Sequence, residues 1–426
     1  MLDTAITSGI EDHRAIFEVF ARTLPEGRRY GVLAGTGRLL GALDDFRFVD
    51  EQLEWLEGAG VVSFRAAAWL SAFRFTGDVD GYEEGEVFTA GSPVLTIEAP
   101  LGQALIVETV VLSILNADSG IATAAARMVR AAGGRPLIEM GSRRTSEGAA
   151  VSAARSAYIA GFAATSNLEA GRRFKIPTAG TSAHALTLAH RSEEEAFAAQ
   201  VATLGSGTTL LVDTYDVEDG VRAAVQAAGI ELGAVRIDSG DPVETAHRVR
   251  ELLDKLGAEG TRIVVTGDLD EHEIAKLVGS NAPVDSFGVG TRLVSGAGCP
   301  APGFVYKLVA VADEPGGDAP MRQVSKRSLA KETVGGRKSA LRTYGSDGRA
   351  RAELVYLENA EAAPDLGSAR PLQVPYVRDG TAVCSSDLAR ARTRCESSLA
   401  ELPEVAFDLS PGLPCITVEL VESQRR

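Results

Sequence analysis

Apolar residues along this chain fall into two rhythms. The first part reads as mixed elements. The opening from Leu2 predicts a helix and then a strand over 15–21, 55–76 predicts helical turns, and 85–100 predicts short strands around a Gly91-Ser92-Pro93 turn. A long helical pattern follows over 104–131, with Asn116 to Gly120 expected to bend it. Then short apolar runs at Leu137, Phe162, Ile176, Leu210, Val235, Ile263, Phe287 and Val305 alternate with helical patterns such as 147–160, 193–203, 217–228, 242–256 and 271–278. Such alternation predicts βαβ units on a parallel sheet, and about eight in series predict a closed barrel, irregular because the spacing is uneven.

At 426 residues the chain exceeds what one core usually serves. The expected division is 1–117 for the first part of a flanking α/β domain, 118–310 for the barrel, and 311–426 completing the flank. In that last part a basic run, Lys326, Arg327, Lys331, Arg337 and Lys338 around Gly335-Gly336, reads either as a solvated hairpin or as a loop reaching toward phosphates. A capped helix is expected over 386–402 and a last strand over 416–421.

Composition narrows the function classes. The formal net charge of -15 speaks against a nucleic-acid surface, while a local arginine cluster can still receive a small anion. Cys299, Cys384, Cys395 and Cys415 show no C-x-x-C spacing, so neither a zinc site nor a disulfide framework is expected and a reducing cytoplasm fits. No signal-peptide pattern opens the chain, and the most apolar segment, 104–115, contains Glu108 and is short of a span. The expectation is a soluble cytoplasmic protein with no membrane partner.

In parallel barrels the strand ends that lead into helices carry the chemistry. Here those positions hold Arg143 with Arg144, Ser166, His184, Asp213 with Asp216, Asp238 to Asp241, Gly267-Asp268, and Gly288 to Thr291. Alternation along a strand puts Arg236 and Asp238 on one face, where they bind a charged substrate or simply pair with each other. Gly288-Val289-Gly290-Thr291 is either a phosphate pocket or a tight turn. Asp213 and Asp216 are spaced to share Mg2+ with substrate phosphates. His184, on the Gly180-Thr181-Ser182 turn, either faces a cleft or caps the helix expected near Ala185. Gly35-Thr36-Gly37 is read as a helix start rather than a phosphate cradle. A sugar-phosphate aldolase or isomerase lacks its strand-end lysine: Lys175 precedes its run and Lys307 lies within one.

Together, Gly141-Ser142-Arg143-Arg144, Gly161 to Asn167, Gly180 to His184, Leu211 to Asp216, Arg236 to Pro242, Val265 to Asp268 and Phe287 to Arg292 resemble nicotinate phosphoribosyltransferase. The resemblance implies an irregular TIM-like α/β barrel with a flanking α/β sandwich, working as a homodimer with the active site at the interface. It implies that nicotinate displaces pyrophosphate from phosphoribosyl pyrophosphate, with Mg2+ and with ATP as co-substrate. His184 matches the family's phosphohistidine, and Asp213 and Asp238 the carboxylates beside the ribose. Met140, Arg143, Arg144, Ser166, Thr181, Ser182, Arg236, Ser239 and Gly240 match substrate-binding positions, Arg236 meeting the pyridine carboxylate. Gly267, Asp268, Gly288, Gly290 and Thr291 match the 5-phosphate cradle. Where the related nicotinamide enzyme has an aspartate, this chain has the neutral Thr165-Ser166-Asn167, which favours the acid as substrate. Met140 stands where the family usually has an aromatic, and the resemblance leads to the expectation that the family's tyrosine-containing segment ahead of the first helix is lacking here. Two other readings stay open: quinolinate phosphoribosyltransferase, which needs no ATP, and a non-catalytic metabolite-binding protein.

Overall fold

The computed structural model describes residues 1–316, 319–326, 334–358, 369–384 and 387–421. The chain divides into two compact units, Ile121–Cys299 and a second made of Met1–Gly120 with Pro300–Arg426. The first unit ends short of 310 for a physical reason. The strand Phe304–Pro315, expected from Val305 as part of the barrel, instead pairs antiparallel with His13–Ala21.

The Ile121–Cys299 unit is built on six parallel strands: β1 (Leu137–Glu139), β2 (Ala164–Thr165), β3 (Thr209–Leu211), β4 (Ala234–Ile237), β5 (Arg262–Val265) and β6 (Ser286–Val289). Their order is β2-β1-β6-β5-β4-β3, and helices fill the connections. The run at Ile176 forms no strand and contributes one isolated bridge, Thr178 to Thr165. Six of the eight expected runs therefore join this sheet, and its edge strands β2 and β3 are not bonded to each other.

Several strand-end carboxylates are helix caps. Asp216 accepts the N–H groups of Glu218 and Asp219, Asp241 those of Val243 and Glu244, and Asp270 those of His272 and Glu273. Each offsets donors that the first turn leaves without partners.

The other unit carries a seven-stranded sheet and a four-stranded sheet. A shared apolar core joins them, including Val19, Ile97 and Tyr306 from the first and Ala340 and Val355 from the second. The helix Leu101–Ala131 is continuous through the expected bend. Its polar stretch serves neighbours instead: Asn116 Oδ1 accepts the Phe304 N–H at 2.9 Å, and Ser119 Oγ accepts that of Ala34 at 3.0 Å. By length and composition this helix is apolar enough to cross a bilayer. Ala104, Val107, Val111 and Leu115 are nevertheless fully buried in the core.

The Gly35-Thr36-Gly37 loop opens the helix Thr36–Asp44, as expected. Its N–H groups already hold an anion, because Glu84 accepts from Gly35 at 2.7 Å and Gly37 at 3.2 Å. The basic run is not uniformly solvated. Arg337 pairs with Asp80, Glu98 and Glu358, and buried Lys338 pairs with Glu18 at 2.7 Å. Arg327 and Lys331 lie outside the described residues, as does Ser386 ahead of the helix Leu388–Ala400. Fully buried Arg342 binds Glu86 at 2.7 Å and Glu353 at 2.5 Å, so both carboxylates are compensated inside the core.

Glu193 opens the helix Glu193–Leu204, is buried, and has no hydrogen-bond partner for Oε1 among the described residues. Burial, joined by the charges of Glu194, Asp213, Asp219 and Asp216, pushes its carboxyl up to about 7. The native chain therefore keeps a proton that the unfolded chain has released, and stability falls as pH rises from the usual carboxylate range to about 7. Glu193→Gln should flatten that part of a Tm-against-pH curve. An unchanged slope would show that Glu193 is not the group responsible.

Candidate active site

The C-terminal ends of the parallel strands surround a cavity of about 540 Å³, within the size range of small-ligand sites. Arg236, the third residue of β4, reaches into it from a largely buried position. Its guanidinium donates from Nε to Thr266 Oγ1 at 2.8 Å, from Nη1 to Thr181 Oγ1 at 2.7 Å, and from Nη2 to Asp238 Oδ1 at 2.9 Å. The alternation that placed Arg236 and Asp238 on one face thus makes a direct ion pair at the cavity wall.

Thr266 is the member that inspection of single motifs missed. The β4 and β5 register, Val264 opposite Arg236 and Val265 opposite Ile237, carries Thr266 beside Asp238, where its hydroxyl bonds Oδ1. Partial burial pushes the Asp238 carboxyl up. The bonds from Thr266 and Arg236, with the Arg236 charge and nearby His184, outweigh that and hold it below the usual carboxylate range. Asp238 is therefore an anion at neutral pH.

The remaining wall comes from four strand ends and one turn. Met140, Arg143 and Arg144 follow β1, with both arginines exposed, and Ser166 follows β2. Thr181 and Ser182 come from the turn before the helix His184–Ala189. Gly267 and Asp268 follow β5, and Gly288, Gly290 and Thr291 lie at or beyond the end of β6. At Gly288 a side chain is excluded, since a Cβ there would lie 2.5 Å from Thr266 Cγ2 and 2.7 Å from Met140 Sδ.

Five expected residues sit outside this wall. Ser239 and Gly240 do not line the cavity; Ser239 Oγ donates to Asp213 Oδ2 at 2.7 Å. Asp213 Oδ2 also accepts the Asp238 N–H at 2.9 Å, while its buried Oδ1 has no hydrogen-bond partner among the described residues. That oxygen faces His184 Nε2 at 3.8 Å, and His184 Nδ1 meets Thr214 Oγ1 at 3.1 Å. His184 is itself the first residue of its helix, and its half-exposed imidazole lies beside Asp213 without lining the cavity. Asp216 is turned to its helix-cap role, with Oδ1 taking both backbone bonds. Thr214 lies within the Leu211 to Asp216 motif, but its role could not be assigned there because it depends on where the His184 ring falls. Buried Glu139 was also missed.

Similarity to known proteins can be set against this geometry. Residues 1–116 match the nicotinate phosphoribosyltransferase (NAPRTase) N-terminal domain, and 136–332 match the nicotinate phosphoribosyltransferase (NAPRTase) family. A nicotinate phosphoribosyltransferase of Mycobacterium tuberculosis is 53% identical over 430 residues, covering 99% of this chain and 93% of its own. The crystal structure of human nicotinic acid phosphoribosyltransferase aligns with a TM-score of 0.84 at 25% identity, covering 98% of this chain and 96% of that one. A nicotinate-nucleotide pyrophosphorylase from Pyrococcus furiosus shares the fold, with a TM-score of 0.75 at 24% identity over 94% of this chain and 92% of that one. With two family models matched in order and half of all positions identical to a relative along nearly its whole length, this chain belongs to the nicotinate phosphoribosyltransferase family.

Proposed function

We propose that this protein joins nicotinate to phosphoribosyl pyrophosphate, giving nicotinate mononucleotide and pyrophosphate in NAD biosynthesis by salvage, and that it couples the step to ATP. The observation that carries the reading is the ionised Asp238, bonded to Arg236 and Thr266 in a cavity edged by Arg143 and Arg144. In the reaction the pyridine nitrogen forms a bond to the anomeric carbon as the carbon–oxygen bond to pyrophosphate breaks. Positive charge grows on the ribose, and a preset carboxylate beside it lowers that barrier. The guanidiniums answer the charges of nicotinate and the phosphates. Ser166 leaves the base end of the site neutral, which favours a carboxylate over an amide.

Among the described residues no group of three or more His, Cys, Asp or Glu side chains converges as a metal site. A Mg2+ arriving on the pyrophosphate needs only one or two protein carboxylates, and Asp213, whose buried Oδ1 has no hydrogen-bond partner among the described residues, would supply one. Asp216 fits it less well because of its cap. Bound there, Mg2+ would offset charge on the leaving pyrophosphate. His184 is the proposed phosphoryl acceptor. With the ring proton on Nδ1 donated to Thr214, Nε2 carries the lone pair that takes the terminal phosphoryl of ATP, releasing ADP. Water later returns the imidazole and frees phosphate. Cytoplasmic residence belongs to the same proposal.

A homodimer is also proposed. Leu168, Leu186, Leu188 and Tyr215, which neighbour Asn167, His184 and Thr214 in sequence, are exposed apolar side chains suited to cover by a second copy.

The product assay places nicotinate, nicotinamide and quinolinate side by side, with and without ATP. Mononucleotide should form from nicotinate, faster with ATP, and terminally labelled ATP should leave acid-labile label on the wild type but not on His184→Ala. Equal labelling of the variant removes the phosphohistidine, and product from quinolinate alone overturns the substrate. Sedimentation equilibrium should return twice the chain mass; a monomer that turns over would remove the dimer.

A further inference from the structure

Two loops at neighbouring strand ends carry the groups assigned to the pyridine ring, Gly141 to Arg144 after β1 and Thr165 to Asn167 at the end of β2. Both are fastened to one side chain. Glu139, the last residue of β1, is fully buried, and no ion pair reaches it among the described residues. Burial pushes its carboxyl up even though two donors bind it. A carboxylate kept in such a place without a cation costs stability, so its retention needs a reason.

The hydrogen bonds supply one. Glu139 Oε1 accepts the Gly141 N–H, Oε2 accepts the Thr165 hydroxyl at 2.5 Å, and the main-chain carbonyl accepts the Ser166 N–H at 2.8 Å. Thr165 Oγ1, its own proton given to Glu139, accepts the Asn167 N–H at 2.9 Å. Asn167 Nδ2 then donates to Ser142 Oγ at 3.0 Å and closes the circuit between the loops. Gly141 has no room for a side chain, since a Cβ would lie 2.2 Å from Val294 Cγ1, so the arginine loop cannot shift toward that side.

We infer that Glu139 is a positioning residue for base recognition: accepting from Gly141 and Thr165 at once, it sets the spacing between the arginine loop and the Ser166 turn. Arg143, Arg144 and Ser166 then meet an aromatic carboxylate as a prepared frame rather than as two independent loops. This deepens the reading of the cavity as a nicotinate site and rests on it. Glutamine at this position keeps the shape but has only one acceptor oxygen, so one of the two contacts is lost or reversed.

Glu139→Ala and Glu139→Gln are compared with the wild type by amide hydrogen exchange and by kinetics. In Glu139→Ala, segments 141–144 and 165–167 should both exchange about tenfold faster while β4 and β5 keep their protection. The KM for nicotinate should rise roughly tenfold while that for phosphoribosyl pyrophosphate stays within about twofold, with Glu139→Gln falling between. Loosening of one segment only, or equal change in both KM values, overturns the inference. A wild type that makes no mononucleotide from nicotinate overturns the functional reading instead, and the exchange data still decide whether Glu139 holds both loops. If Glu139→Ala does not fold, Glu139→Gln carries the same comparison.

Discussion

The site depends on keeping a carboxylate charged in a partly buried wall. Asp238 meets that constraint through Arg236 and Thr266, both held by the β4 and β5 register, so the anion is in place before any substrate arrives. Arg236 is in turn tied to Thr181 on the turn that leads to His184. Asp213 binds the Asp238 N–H on one oxygen and faces His184 with the other. The proposed ATP chemistry and the proposed ribose chemistry therefore share one connected set of polar groups, at the point where neighbouring strands end. Preorganised charge of this kind needs no rearrangement at the moment of reaction.

Polar residues at strand ends divide into two physical classes. Asp216, Asp241 and Asp270 meet the N–H groups that each following helix leaves open, and their job is local. Asp213 and Asp238 point back toward neighbouring strands and are held by residues distant in sequence. Glu139 belongs with the second class, since its partners lie on two loops. A carboxylate's partner, rather than its place in a loop, separates capping from function.

Much of this was legible in the sequence. The β and α alternation forecast the parallel sheet, and period-two spacing forecast that Arg236 and Asp238 share a face. The convergence of strand ends brought Met140, the arginine pair, Ser166 and the glycine turns to one cavity. Sheet membership was not legible, because an apolar run carries no record of its partner: Val305 begins a run that pairs with His13–Ala21, and Ile176 lies in one that pairs almost nowhere. Thr266 and Thr214 were hidden for a related reason, since each acquires meaning only from a register or a ring position set by distant residues. The polar stretch near Asn116 looked like a break because its hydrogen bonds run outward to Phe304 and Ala34.

The most direct measurement is kcat for Asp238→Asn at saturating substrates, beside nicotinate affinity by calorimetry. If the ionised carboxylate stabilises charge on the ribose, kcat falls roughly 100-fold or more while nicotinate affinity changes by only a few fold. A variant that keeps kcat within about threefold of the wild type contradicts the account, because the group around which the wall is organised would then have no part in the reaction.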